Sequence, residues 1–454
     1  MRSVNPATGV PFAEYAEHSR AEAAAKLVTA GAAWRAWRLE PFTARAAVLT
    51  AAAGLLRERR GALARLAVLE MGKPVTQAAA EVEKCAWVCE WYAEHGERLL
   101  ADEVIATDAT RSYTRCEPLG VLLAVMPWNF PYWQVFRAAA PALMAGNVVA
   151  LKHASNVPGV ACAIEELWRD AGAPAGVFTT LLVPSAEAGA LVEHPNVACV
   201  TLTGGEAAGV TVGERAGRCL KKVVLELGGS DPFVVLADAD LDAVAAQAAM
   251  ARVQNNGQSC IAAKRFIVVG AAAEPFAARL AELMGALKAG DPLDPATQVG
   301  PLARPDLVAD LHAQVERSLA AGARLLCGGQ RPAGPGAFYP PTVLADVEPG
   351  MAAFDEETFG PLAPVIHARD EGHAVALANR SLFGLGASVW TRDAARGEAL
   401  AREIEAGAVF VNGVVKSDPR LPFGGIKRSG HGRELGAAGI REFVNLKTIW
   451  VRAD

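Results

Sequence analysis

Val121-Leu122-Leu123-Ala124-Val125-Met126 is an unbroken apolar run. Pro127-Trp128-Asn129-Phe130-Pro131 follows it, then a helix-like stretch over 132–146 and a second apolar run, Val148-Val149-Ala150-Leu151. Short apolar runs separated by helices read as parallel strands covered on both faces by their own crossovers. The rhythm continues with runs at 177–183, 197–202 and 223–227. It restarts after Gly229 with Phe233-Val234-Val235-Leu236, a helix ending at Val253, Phe266-Ile267-Val268-Val269 and a helix near 274–287. Further runs stand at Leu325-Leu326, Val365-Ile366, 387–390 and 409–412. The predicted fold class is α/β, with two doubly wound parallel-sheet domains in series that meet near 226–230.

Outside this frame, Ala-, Leu- and Arg-rich stretches over 19–38, 42–71 and 74–100 favour helix, and Pro41 and Pro74 suit first helical turns. Residues 104–117 read as an exposed strand or hairpin, and 446–451 as a closing strand. A polar hairpin that leaves a compact domain is a contact between copies of a chain, or else a plain loop.

Composition narrows the function. Of 454 residues, 52% are hydrophobic and 20% charged, which suits a soluble globular protein with a large core. The net charge of −5 leaves no basic footprint for nucleic acid. No apolar run approaches the roughly 20 residues that span a bilayer, and the N-terminus carries no visible signal peptide. The eight cysteines are scattered with no C-x-x-C pair, as expected for free thiols in a reducing cytoplasm. Cys85 and Cys89 lack nearby partners for zinc and read as core packing, so no metal is expected.

One cysteine stands apart. Asn255-Asn256-Gly257-Gln258-Ser259-Cys260 reads as a helix end, a sharp turn, a thiol and then a strand. A thiol at such a turn faces a cleft and bonds covalently to a substrate carbon, or else it is a small core residue. Ligands of doubly wound sheets sit beyond the carboxyl ends of the strands. Pro127-Trp128-Asn129, Lys152-His153-Ala154-Ser155, Thr203-Gly204-Gly205 and Glu226-Leu227-Gly228-Gly229 all fall there. A Gly pair at a helix start presents N–H groups to phosphate, and a strand-end lysine holds ribose or phosphate oxygens. No G-x-G-x-x-G follows a strand.

Five motifs then occur in order: Pro127-Trp128-Asn129-Phe130-Pro131, Glu226-Leu227-Gly228-Gly229, Gly257-Gln258-Ser259-Cys260, Glu356-Glu357-Thr358-Phe359-Gly360-Pro361 and Pro422-Phe423-Gly424-Gly425-Ile426-Lys427-Arg428-Ser429-Gly430. Together they resemble the aldehyde dehydrogenase superfamily along essentially the whole chain. Lys152-His153-Ala154, Gly228-Gly229-Ser230-Asp231-Pro232-Phe233 and Ala262-Ala263-Lys264-Arg265-Phe266 resemble its succinate-semialdehyde dehydrogenase branch.

The resemblance implies a cofactor-binding domain over 1–105 and 119–228, a catalytic domain over 229–428, and an oligomerisation element from 106–118 and 429–454. It implies Cys260 as nucleophile, Asn129 as oxyanion donor and Glu226 as the base that hydrolyses a thioester. Met126, Pro127, Trp128, Lys152, Ser155, Gly204, Gly205, Leu227, Glu357 and Phe359 are the expected cofactor contacts. NADP is the expected cofactor, with NAD weaker, because Ser155 stands where NAD-preferring relatives often carry a carboxylate. Arg137, Ser417 and Trp133 are the expected substrate contacts. Arg137 meets either a substrate carboxylate or a carboxylate of the protein. A lysine relay member of many relatives is replaced by Ala138, which leaves the role of Glu434 open. The expected reaction is oxidation of succinate semialdehyde or another short carboxylated aldehyde by a homodimer or homotetramer. An acylating dehydrogenase and a non-catalytic protein on this fold are the rivals. The base Glu226 opposes the first, and the intact Cys260, Asn129 and Glu226 oppose the second.

Overall fold

The computed structural model describes residues 1–453. The first sheet runs, edge to edge, Gly430–His431, Lys222–Glu226, Val197–Thr203, Val121–Met126, Val148–His153 and Phe178–Thr180. Its strands between Val121 and Glu226 are parallel, in register from Val121 opposite Val148 to Met126 opposite His153. Apolar character on both faces is what such strands need, and all of Val121–Met126 except Val125 is buried. The following helix, Trp133–Ala145, is buried at every position. Alanines at 138, 139, 140, 142 and 145 make it narrow enough to lie beneath the long helix Val75–Leu99. Gly146, with φ 95°, ends it in the left-handed region, where a side chain is strained.

The second sheet runs Arg324–Cys327, Thr342–Ala345, Leu362–Ala368, Ala263–Val269, Asp231–Val235, Gly386–Trp390 and Ala408–Val411. All its pairs are parallel except the first. The two-sheet α/β prediction holds, with an antiparallel strand at one edge of each sheet. Thr342–Ala345 has no counterpart in the sequence reading, because four residues between prolines and an aspartate make no visible run. The stretch 42–71 is two helices, Phe42–Glu58 and Arg60–Met71, broken at Arg59.

The hairpin of Glu103–Val104 and Arg111–Pro118 pairs with Val444–Val451 in a three-stranded antiparallel sheet. Val104, Leu446, Trp450 and Val451 are exposed on it. Gly430–His431, grouped above with this terminal element, instead extends the first sheet beside Lys222–Glu226. Among the described residues, no helix is long and apolar enough to cross a membrane.

Candidate active site

The turn that carries Cys260 is built from consecutive unusual conformations. The helix Leu241–Val253 ends, and Asn255, Asn256 and Gly257 take φ of 53°, 58° and 77°. Asparagine tolerates that region better than most residues. At Gly257 a Cβ would collide with the backbone of Gly360. Both asparagines are fully buried and spend their amides on backbone. Asn255 Nδ2 donates to the carbonyls of Asn129 (2.6 Å) and Gln258 (2.9 Å). Asn256 Nδ2 donates to Gly72 (2.9 Å) and Pro301 (2.8 Å). Two buried cations close the turn. Arg252 donates to the carbonyls of Gly257 and Ala263, both at 2.8 Å. Lys264 donates to those of Ser259 (2.8 Å) and Cys260 (2.7 Å).

Cys260 opens half-buried onto a cavity of about 590 Å³. The same cavity is lined by Trp133 and Arg137, by Glu81 and Lys84 from the helix Val75–Leu99, and by Ser417 and Phe423. The sequence-predicted substrate residues Arg137, Ser417 and Trp133 therefore share one space with the thiol. Burial pushes the Cys260 thiol up to about 11, while Arg137 and Lys264 pull it down. The thiolate expected of a reactive cysteine is thus not the resting form here. Desolvation outweighs both cations, and attack requires that the proton first be taken away.

Asn129 is buried behind the nucleophile turn, and its Nδ2 donates to the Gln258 carbonyl at 3.1 Å. An amide nitrogen carries two protons, so one remains for an oxyanion. Glu226 ends the strand Lys222–Glu226 and is also buried. Burial, and then Glu434, hold its carboxyl well above the usual carboxylate range, while Arg137 and Arg433 act in the other direction. Its Oε1 lies beside Gly424, where an added Cβ would sit 2.7 Å away. Glu226 thus lies beside Gly424 and close enough to Glu434 to feel its charge, and it does not itself line the cavity onto which Cys260 opens.

The expected cofactor residues line up along the carboxyl edge of the first sheet. Met126, Pro127 and Trp128 close one strand, Lys152 and Ser155 close or follow the next, and Leu227 follows Lys222–Glu226. Lys152 Nζ donates to Ser185 Oγ at 3.0 Å, and burial pushes it down to about 8. Gly204 and Gly205 precede the helix Glu206–Arg218, whose N-cap Gly205 has no capping side chain. An added Cβ at Gly205 meets nothing within 4 Å, so the space beside this uncapped helix start is open, and a helix start of this kind suits a phosphate. From the loop before the strand Leu362–Ala368, Glu357 accepts from Gly229 N–H at 3.0 Å and pairs with Lys264 at 3.2 Å. Phe359 meets Trp128 edge to face, with ring centroids 5.8 Å apart. These residues fit a dinucleotide laid over the sheet edge. Among the described residues, no cluster of three or more metal-ligating His, Cys, Asp or Glu side chains occurs.

The sequence model described as "Aldehyde dehydrogenase family" matches residues 1–449. This chain belongs to the aldehyde dehydrogenase family. It is 55% identical over 451 residues to a Synechocystis protein named "Probable succinate-semialdehyde dehydrogenase [NADP(+)]", which covers 99% of each chain. It is 49% identical over 454 residues to "Succinate-semialdehyde dehydrogenase [NADP(+)] 1" of Mycobacterium tuberculosis, again 99% of each. The solved succinic semialdehyde dehydrogenase of Streptococcus pyogenes, in complex with NADP+, superimposes with a TM-score of 0.97 at 36% identity over 100% of each chain.

In this aldehyde dehydrogenase the departure at Ala138 has a structural counterpart one residue earlier. Ala138 is buried, and Arg137 forms a buried ion pair with Glu434. Arg137 also donates to Thr203 Oγ1 at 3.2 Å and lies 4.7 Å over the Phe423 ring. Of the two partners the sequence offered Arg137, the structure supplies the protein carboxylate. The cation beside Glu434 is therefore a guanidinium. A guanidinium has five N–H groups, so three remain after Glu434 and Thr203.

Lys84 was missed in the sequence. Its Nζ donates to Ser417 Oγ at 2.8 Å and lies 4.2 Å over the Trp133 ring. The clue was helical spacing: Gln77, Glu81 and Lys84 stand at i, i+4 and i+7, on one face, and all three line the cavity. Helix-favouring composition over 74–100 does not by itself separate this polar stripe from the buried face of the helix.

Proposed function

We propose that this aldehyde dehydrogenase oxidises succinate semialdehyde to succinate with NADP+ in the cytoplasm, as a homo-oligomer joined through the sheet of Arg111–Pro118 and Val444–Val451. The observation that carries this reading is the single cavity in which the Cys260 thiol and the polar side chains Arg137 and Ser417 face one small aldehyde. The full-length likeness to proteins named for this substrate and cofactor supports it.

Cys260 attacks the aldehyde carbon once its proton is removed, and a C–S bond forms as the carbonyl oxygen gains negative charge. The free Asn129 N–H and the Cys260 backbone N–H meet that oxygen, which is usually the largest electrostatic contribution to such a reaction. NADP+, when bound, would be held by Lys152, Ser155 and the Gly204-Gly205 helix start, with Glu357 and Phe359 at its reactive end, and would accept the hydride that leaves the carbon as the C=O bond re-forms. The acyl group then rests on Cys260 as a thioester. Glu226 takes a proton from water as that water attacks the thioester carbon, and succinate leaves as the thiol is restored. Trp133 packs the methylenes, while Ser417 and the remaining Arg137 N–H groups meet the far carboxylate.

A kinetic panel of succinate semialdehyde, glutarate semialdehyde and butanal against both nicotinamide cofactors tests the proposal. Succinate semialdehyde with NADP+ is expected to give the highest kcat/KM, and a wild type that prefers butanal overturns it. The cofactor choice rests on Ser155, since a hydroxyl donates to a 2′-phosphate that a carboxylate repels. Ser155→Glu is therefore expected to shift the kcat/KM ratio towards NAD+ by at least about tenfold, the loss of one charge-assisted contact. An unchanged ratio removes Ser155 from the cofactor site.

A further inference from the structure

We propose that Lys84 is a second cation for the substrate carboxylate, beside Arg137, with Ser417 as its hydroxyl partner. The inference rests on the carboxylated-aldehyde reading and names the residue that enforces it.

A charge count around the cavity leads to Lys84. Glu81 is matched by Lys73 in a buried ion pair, and also accepts from the N–H groups of Tyr132 and Trp133 at 2.9 Å each. Arg137 is matched by Glu434. Asp418 is matched by Arg420 at 2.6 Å, and Lys416 is exposed at the rim. Lys84 faces the same space, and both its partners are neutral: the Ser417 hydroxyl and the Trp133 ring. Among the described residues no carboxylate lies within ion-pair distance of Lys84, although Glu81 and Asp418 act on it from farther away. Burial, and then Arg137, push its amine down to about 8 against the opposing pull of Cys85, Glu81 and Asp418. A charge held in poorly solvating surroundings is relieved by an anion, and a carboxylate arriving with the aldehyde is such an anion.

The donors are already in place. An ammonium has three N–H groups, and Ser417 occupies one. Because Ser417 accepts from Lys84, its own O–H is free to donate to the second oxygen of a carboxylate. The helix Val75–Leu99 supplies the lysine, the helix Trp133–Ala145 the ring beneath it, and the loop after Ala408–Val411 the serine. Three elements fix one long side chain before the substrate arrives, so little rotamer entropy remains to be lost on binding. Arg137 differs because it also holds Glu434 in a buried ion pair. Its loss disturbs the acid–base machinery for every aldehyde, whereas the loss of Lys84 removes a contact that only a carboxylated aldehyde makes.

The test compares Lys84→Met with wild type, as full-length enzyme with NADP+, on succinate semialdehyde and butanal. Lys84→Met keeps length and apolar packing on Trp133. We expect kcat/KM for succinate semialdehyde to fall about ten- to a hundredfold, mainly through KM, the cost of one charge-assisted contact. Butanal turnover is expected to stay within about twofold, because that substrate has no charge to pair. Lys84→Arg is expected to recover most of the loss. Succinate, added as a competitive inhibitor of butanal oxidation, is expected to bind the methionine variant about ten- to a hundredfold more weakly, a readout that requires no turnover of the carboxylated aldehyde. Equal losses on both aldehydes, or an unchanged inhibition constant for succinate, overturn the assignment. A wild type that prefers succinate semialdehyde beside an unaffected Lys84→Met sinks Lys84 alone. A wild type that prefers butanal removes the functional reading and Lys84 with it.

Discussion

Glu226→Gln is expected to release one rapid equivalent of reduced cofactor per active site and then turn over about 10²–10⁴ times more slowly than wild type, the usual contribution of a general base. Glutamine keeps the shape of the side chain but cannot take a proton from water. Attack by Cys260 and hydride departure precede the step that needs the base, so they survive. Cys260→Ala is expected to give neither burst nor turnover while cofactor still binds, because the atom that carries the acyl group is gone. The wild-type pH profile follows from the surroundings of Glu226. Burial and Glu434 raise its carboxyl well above the ordinary range, so the base is protonated at low pH. Deacylation is therefore expected to rise with pH through that elevated value, and Glu226→Gln should flatten this limb. Stopped-flow absorbance of the reduced cofactor measures all three effects. Steady turnover near wild type in Glu226→Gln removes Glu226 from the base role.

Arg137→Ala is expected to damage the oxidation of every aldehyde and to destabilise the fold. Arg137 and Glu434 are 3% and 2% exposed, so removing one leaves a buried charge alone. Breaking a buried pair in this way costs about 3–5 kcal/mol. The guanidinium also lowers the proton affinity of three groups at once: Cys260, Glu226 and Glu434. Without it the thiol and both carboxyls hold their protons more tightly. Each unit of upward shift at the thiol lowers the thiolate fraction about tenfold. Butanal and succinate semialdehyde should both lose at least about tenfold in kcat/KM, with an earlier thermal midpoint, and Arg137→Lys should restore part of each. Kinetics on the two aldehydes, with a thermal melt, decide the matter. If butanal is spared, the guanidinium acts on the substrate carboxylate alone and the pair with Glu434 is incidental.

The contrast between Arg137 and Lys84 marks the division between sequence and structure here. Val121–Met126 and Val148–His153 were legible because strands buried on both faces must be continuously apolar, and composition records that directly. The Cys260 turn was legible because Asn-Asn-Gly tolerates the left-handed backbone that the turn adopts. The strand-end positions of Lys152, Gly204 and Glu226 followed from the same alternation. Partners were not legible. That Arg137 belongs to Glu434, 297 positions along the chain, and Lys84 to Ser417, 333 positions along, depends on how the helices dock against loops from the last part of the chain. The upward shift of the Cys260 thiol likewise comes from what surrounds it after folding. Periodicity and turn chemistry are local properties written residue by residue, whereas the pairing of charges and the exclusion of water arise only when distant segments close the same cavity.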